Sequence, residues 1–324
     1  MKLRHGFALC ALALVLPCGL GFAKDLRDET QWLERVQSAP QRVSYTGIFV
    51  YQQGQSMQSS RVTHMVDGSD ARERLEVLDG QPREILRHNG EVRCVLPESK
   101  TLLIERSEQR DAFPALIQTS ANDVSANYLI KRMGVERVAG LECDIVELEP
   151  RDGLRYGYRL WTERATGLLL KAQMINDKGS VVEQTAFSEV HIGGNIDRSL
   201  LKARWNTDGW KVEDASSSAS TLPGWGVARA VSGFRKIREV RRTLAGHADA
   251  GQIVFSDGMA AISIFIEPLG ADRSEPETVA TQGAINMISR RYADHRLTVL
   301  GEAPMTSIRF FANAVEFKPS LSKP

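Results

Sequence analysis

The chain has 324 residues, 41 basic and 40 acidic side chains, and a hydrophobic share of 42%. Removal of an N-terminal targeting segment carrying Lys2 and Arg4 leaves 39 basic against 40 acidic residues, so the formal charge goes from +1 to −1. That balance speaks against a general nucleic-acid binder, which carries a net basic face. About 300 remaining residues are enough for two domains with their own cores.

Residues 1–23 have the grammar of a secretory signal: a basic start, an apolar run from Phe7 to Leu16, and Gly21-Phe22-Ala23 as a small-x-small cleavage site. Cys18 would suit lipid attachment, but Pro17 before it fits such a site poorly. The mature chain is expected to begin at Lys24 and to be secreted. It keeps only Cys94 and Cys143. In an oxidising compartment an even pair reads as a disulfide, here closing a loop of about 50 residues. Such a bond contributes roughly 4 kcal/mol by chain entropy.

Leu26 to Val36 reads as an opening helix, with Leu26, Leu33 and Val36 on one face. After Pro40 come short β-prone runs at Val43–Tyr51, Met57–Val66, Ala71–Leu78, Pro82–Arg87, Val92–Leu96 and Leu102–Arg106. Tight turn signals between them predict sequential antiparallel strands. Asp111–Gly134 interrupts the series, and Asn122-Asp123 is placed to cap a helix carrying Val124, Tyr128 and Leu129 inward. Strands resume at Cys143–Leu148, Arg155–Thr162, Gly167–Ile175 and Val181–Val190. So many strands with two helical segments predict a strongly curved sheet or partly closed barrel.

Residues 213–224 open with the Ser-rich run EDASSSAST, which has a linker's composition. It divides a first domain at 24–212 from a second at 225–324. The second is organised around Gln252–Pro268: two β-prone runs joined by Ser256-Asp257-Gly258, a hairpin with Ile262, Ile264 and Ile266 on one face. A strand at Phe234–Thr243 precedes it. A helix over Glu277–Tyr292, a strand at Leu297–Gly301 and a helix from Pro304 follow. The fold class is therefore α+β, mainly β: an N-terminal unclosed antiparallel barrel with helices, then a small C-terminal α+β domain.

Signatures of chemistry are few. The chain has no zinc-protease, nucleophile-elbow, phosphate-loop or CxxC pattern, and its histidines lack ligand spacing, so no catalytic site, metal or cofactor is assigned. Ser199 and Lys202 match a serine–lysine spacing, a weak sign that leaves a secreted hydrolase as one alternative. Two other features draw attention. Ala112–Ile117 is an apolar segment that either packs or covers a greasy groove. Arg229–Arg242 carries six basic residues against Glu239 alone, either a solvated edge or a docking surface for an acidic partner or lipid phosphate.

The run IVFSDGMAAISIFIEP resembles the C-terminal signature of the RseB/MucB family of periplasmic sigma-E regulatory proteins. The likeness extends to Trp32-Leu33, Ser44–Tyr51, Arg72–Leu75, Arg137–Gly140, Tyr158–Trp161 and Gly167-Leu168, and so runs through the whole mature chain. It implies an N-terminal half-barrel like the lipoprotein carriers LolA and LolB, with helices in its mouth. It further implies binding to the periplasmic part of a membrane-spanning anti-sigma factor, which is thereby shielded from the site-1 protease. Release would follow from lipopolysaccharide or lipoprotein acyl chains. Chemistry within that frame places Phe113, Leu116 and Ile117 at the acyl groove, and Arg235, Arg238 and Arg241 against partner or phosphate. A lipoprotein carrier without regulatory duties is the nearer alternative, and a homodimer is left open.

Overall fold

The computed structural model describes residues 21–106, 117, 119–214, 221–244, 247–269 and 276–318. The helix α1 (Gly21–Arg42) leads into β1 (Tyr45–Gln53), β2 (Ser56–Asp67), β3 (Asp70–Val77), β4 (Glu84–His88), β5 (Glu91–Leu96) and β6 (Thr101–Arg106). Then come α2 (Ala121–Asn127), β7 (Tyr128–Val138), β8 (Leu141–Pro150), β9 (Gly157–Glu163), β10 (Leu169–Ile175) and β11 (Val181–Ile192). A 3₁₀ turn at Arg198–Leu201 precedes β12 (Lys211–Asp214). The last part holds β13 (Trp225–Val227), β14 (Arg235–Leu244), β15 (His247–Ser256), β16 (Ala261–Pro268), β17 (Thr278–Gln282), β18 (Ile285–Tyr292), β19 (His295–Gly301), α3 (Met305–Ala314) and β20 (Val315–Phe317).

The first twelve strands form one sheet in the order β12-β6-β5-β4-β3-β2-β1-β11-β10-β9-β8-β7. Its two ends, β12 and β7, do not pair with each other, so the barrel is unclosed, as the strand-and-turn pattern predicted. α1 and α2 lie against one part of it. Leu33, Val36 and Val124 are buried in a cluster with Tyr128, Leu148, Tyr158 and Leu160. Ala39 joins Tyr45, Val62 and Phe187 in a second cluster farther along the sheet. Trp32 anchors the helix by donating Nε1–H to Thr162 Oγ1 at 3.2 Å.

The second sheet has the order β14-β15-β16-β19-β18-β17, with the predicted hairpin at its centre. Ile262, Ile264 and Ile266 are buried together with Phe255, Ile288 and Val299 beneath Ile308, Phe311 and Ala312 of α3. Strand alternation and the Asp-Gly turn were sufficient to place this hairpin, and Pro304 stands at the N-cap of α3 as its spacing suggested.

Several expectations are corrected. Residues 277–292 are two strands, not a helix. Ile285, Ile288 and Tyr292 do recur at helical spacing, but Gly283 sits at φ +58 in a two-residue connection between Gln282 and Ile285. Hairpins of that length need the positive φ, whereas a mid-helix glycine costs about 1 kcal/mol. Ser120, rather than Asn122 or Asp123, caps α2, accepting from the Asp123 amide. Leu129 points outward on β7 and is 41% exposed. Glu213 and Asp214, expected in the linker, pair in parallel with β6; residues 215–220 lie outside the described residues. So do residues 1–20 of the expected signal, residues 21–23 being the start of α1.

The Cys94–Cys143 bond is not formed: both thiols are free. Cys94 is on β5 and Cys143 on β8, and seven strands lie between them in the sheet order. Burial raises both thiols above their ordinary value, Cys143 to about 11. Two titratable thiols per mature chain from Lys24, in denaturant without reductant, are the expected result of a thiol assay.

Candidate functional site

The site is built from two parts, an apolar floor on the large sheet that no apolar cluster among the described residues covers, and the seam where the small sheet docks on it. The floor follows from register. Val190, Gly47, Val62, Leu75, Ile85, Cys94 and Leu103 pair in turn from β11 through β1 to β6. Directly opposed residues share a face, so this row lines one side of the sheet. At its start Val62 is fully buried, with Leu75 and Val190 packed against the same cluster as Ala39 of α1. Farther on, Ile85, Cys94 and Leu103 are half-buried and belong to none of the apolar clusters among the described residues. Among the described residues, the helices cover one half of the inner face and leave the other half apolar and half-buried.

A polar row two residues away marks where that cover ends. Tyr45, His64, Glu73 and Arg87 pair in register on the same face. The Pro40 carbonyl can only accept, so His64 Nε2–H donates to it at 2.7 Å and pins the end of α1 to β2. His64 Nδ1 stands 3.3 Å from Glu73, which is 3% exposed and paired with Arg87. A buried carboxylate is tolerated only with such partners. The floor is thus an apolar strip with a charged border, a shape suited to a chain with a polar head.

The seam is made by the turn of the central hairpin. Asp257 is buried, and its Oδ1 accepts from the amides of Met259 at 3.0 Å and Ala260 at 2.9 Å, which holds the turn. Its Oδ2 accepts from Arg155 Nε at 2.8 Å and from the Tyr128 hydroxyl at 3.1 Å, both on the large sheet's side. Arg155 is itself buried, also bonded to Asp152 and the Ser232 carbonyl, with its guanidinium over the Phe234 ring at 5.2 Å. Burial, and then the Asp257 charge, hold the Tyr128 phenol far above its ordinary value, so it remains a donor.

Around this lock the two parts interdigitate. Met259 and Ala284 are buried in the cluster of Tyr158 and Leu160. Tyr158 donates to the Met259 carbonyl at 3.3 Å, Asn286 to the Tyr156 hydroxyl at 2.9 Å, and Ser307 to the Leu154 carbonyl at 2.6 Å. Gly258, at φ +91, lies so close to Thr119 that a β-carbon would overlap it. The hairpin reads in the sequence as the scaffold at the centre of the second domain; its tip is in addition a contact to the first one.

The predicted site residues fall in different places. Phe113 and Leu116 lie outside the described residues. Ile117 is buried in the cluster beneath α1 and α2, so it packs rather than lines a groove. Arg235 pairs with Asp123 and Arg238 with Glu105 at 3.6 Å, both carboxylates belonging to the large-sheet half. Arg241 is exposed on the same strand. Ser199 and Lys202 sit on an exposed 3₁₀ turn, where the Ser199 hydroxyl serves the Asp197 carboxylate. That is a turn motif, not a nucleophile and base. Ile85 and Leu103 were not singled out by sequence, and Cys94 only as a disulfide partner, although every second residue of β4 to β6 carried the signal.

Two family profiles match the chain, the MucB/RseB N-terminal domain over residues 28–205 and the MucB/RseB C-terminal domain over residues 219–316. The sigma factor AlgU regulatory protein MucB of Pseudomonas aeruginosa is 28% identical over 290 residues, 87% of this chain and 89% of its own length. The sigma-E factor regulatory protein RseB of Haemophilus influenzae is 25% identical over 328 residues, 98% and 99% of the two chains. A crystal structure of MucB in complex with MucA(peri) superposes with a TM-score of 0.72 at 26% identity, covering 90% of this chain and all (100%) of that one. A complex structure of P. aeruginosa MucA/MucB gives 0.73 at 25% identity, with the same coverage of 90% and 100%. From its first strand to its last helix, this chain belongs to the MucB/RseB family of sigma factor regulatory proteins.

Proposed function

We propose that the protein is a periplasmic negative regulator of a sigma-E-type envelope stress response. It binds the periplasmic domain of a membrane-spanning anti-sigma factor and keeps it from the first protease. The observation that carries this reading is the match of both halves, in order, to a protein crystallised with such a domain. Residues 1–23 direct secretion, 24–214 form the lipid-sensing half-barrel, and the smaller partner-binding domain begins by Leu222, which is buried in its core.

The floor at Ile85, Cys94 and Leu103 takes the acyl chains of lipopolysaccharide or lipoprotein, with Phe113 and Leu116 at its border. Each methylene buried there contributes about 0.8 kcal/mol, so a chain of ten or more is held without directed bonds. Arg235, Arg238 and Arg241 meet the acidic partner. Arg235 and Arg238 do so by exchanging their carboxylates Asp123 and Glu105, since exposed ion pairs of this kind are worth only about 0–1 kcal/mol. Lipid releases the partner by favouring a domain arrangement that the partner does not. A difference of about 3–5 kcal/mol is needed to empty a mostly occupied site.

The test is titration calorimetry of the full chain with the periplasmic domain of the anti-sigma factor. Saturable binding is expected, with affinity lost progressively as Arg235, Arg238 and Arg241 are changed to Glu. Absence of binding by the unmodified chain overturns the reading.

A further inference from the structure

The far edge of the second sheet carries a cluster of arginines that neither the floor nor the seam uses. β17 pairs with β18 only as far as Thr278 opposite Ser289, so among the described residues that side of β18 is open from Arg290 onward. Successive residues of a strand point to opposite faces, and at an open edge both faces border the same hollow. A cavity of about 110 Å³ lies there, lined by Thr278, Ser289, Arg290, Arg291 and Arg296. Leu269 and Pro276 also line it, and residues 270–275 between them lie outside the described residues.

Two features of the cluster call for an anion. Arg291 and Arg296 are directly opposite each other in the β18–β19 register, where like charges repel. Arg290 donates from its two Nη groups to Asn313 Oδ1 at 3.0 Å and to the Ala312 carbonyl, at the end of α3. Its Nε–H is buried and has no hydrogen-bond partner among the described residues, which is costly for a charged donor. The described carboxylates sit at the margin. Asp294 is 3.8 Å from Arg291 but 82% exposed, Glu277 stands 3.9 Å from Arg309, and Glu267 lies opposite Arg296 on β16.

We propose that this cavity is a phosphate-binding site, which takes either inorganic phosphate or the phosphate group of an anionic lipid head. A phosphate there accepts from Arg290 Nε and stands between Arg291 and Arg296, so it relieves the unpaired donor and the repulsion together. Guanidinium forks match phosphate oxygens in charge-assisted pairs. Ser289 can accept from Thr298 at 2.9 Å, which leaves its own hydroxyl hydrogen for the anion, and Thr278 supplies a second hydroxyl. A carboxylate is the poorer fit, with two oxygens for three guanidinium groups. The volume is a few times the roughly 30 Å³ of one water, which admits one oxyanion and not an acyl chain. None of these residues belongs to the floor or the seam, so the site depends on neither the acyl ligand nor the anti-sigma partner.

The test is titration of the full chain with inorganic phosphate, against chloride at the same ionic strength, followed on the nitrogen-15 Nε–H signal of Arg290. A saturable shift of that signal with phosphate alone is expected, and it needs no variant. Arg291→Gln combined with Arg296→Gln, on the face of β18 and β19 away from α3, is expected to weaken phosphate binding on the order of tenfold or more. Wild-type affinity is expected to fall as salt rises, and that of the double variant to fall less. Vesicles of phosphatidylglycerol added to the phosphate-loaded protein distinguish the source: displacement identifies a lipid head, retention a soluble phosphate. No shift with phosphate, an equal shift with chloride, or undiminished binding by the double variant overturns the proposal. So does phosphate binding that appears only in Asp272→Asn with Glu275→Gln, since the chain's own carboxylates then fill the cavity.

Discussion

Replacing Asp257 with Ala is expected to cost about 3–5 kcal/mol, because it leaves the buried Arg155 guanidinium without its fully buried counter-ion. The carboxylate holds four groups at once, two amides of its own turn and two donors of the other domain. Asp152 and the Ser232 carbonyl still face Arg155 after the change, which places the effect toward the lower end. Urea denaturation is the measurement. Beyond a lower midpoint, the variant is expected to unfold in two steps, as the domains separate before the cores of α3 and of α1 give way. Asp257→Asn, which keeps an acceptor for the turn amides but no charge, should lie between wild type and Ala. A loss below 1 kcal/mol in the Ala variant would mean that the seam is held by its apolar contacts alone.

The second large effect concerns the floor. Ile85→Asp combined with Leu103→Asp is expected to lower affinity for a long-chain acyl probe at least a hundredfold, since an ionised carboxylate in an apolar strip costs several kcal/mol when the strip is covered. Both side chains are only half-buried in the free protein, so the domain should still fold. Far-ultraviolet circular dichroism checks that, and probe fluorescence reads the binding. Attachment of a bulky maleimide to Cys94, which lies between them in register, is expected to have the same consequence without a substitution. Unchanged acyl binding in both cases would remove lipid from β4–β6.

How far the sequence carries can be judged element by element. Strands β1 to β6 and β8 to β11 are legible because short alternating runs are separated by Gly, Asn and Asp turns. β7 is not, since it is an edge strand exposed on both sides: Leu129, Met133 and Val135 are each at least 41% accessible, and no alternation marks an inside. The second domain was right in its centre and wrong at its margin, where three residues at helical spacing outweighed one glycine. The floor was present in the alternation of β4 to β6, but only the register of the sheet shows that the helices stop short of it.

The seam was the least legible part. Arg155 and Asp257 are separated by 102 positions, and neither stands in a pattern that names the other. Asp257 already had a sufficient local explanation as a turn residue. Likewise Arg235 and Arg238 read as a free basic edge because their carboxylates, Asp123 and Glu105, come from the other half of the chain. A pair of cysteines in a secreted chain suggested a bond by number alone, and the sheet order keeps its members on distant strands.

If an acyl-binding floor is coupled to a partner-binding domain through a seam that can rearrange, lipopolysaccharide added to the preformed complex with the periplasmic anti-sigma domain dissociates it, as followed by size exclusion. Release is expected from the wild-type complex, and retention when the floor carries Ile85→Asp and Leu103→Asp. Release that is equally complete from the floor variant, or a wild-type complex that lipid leaves intact, would contradict that coupling.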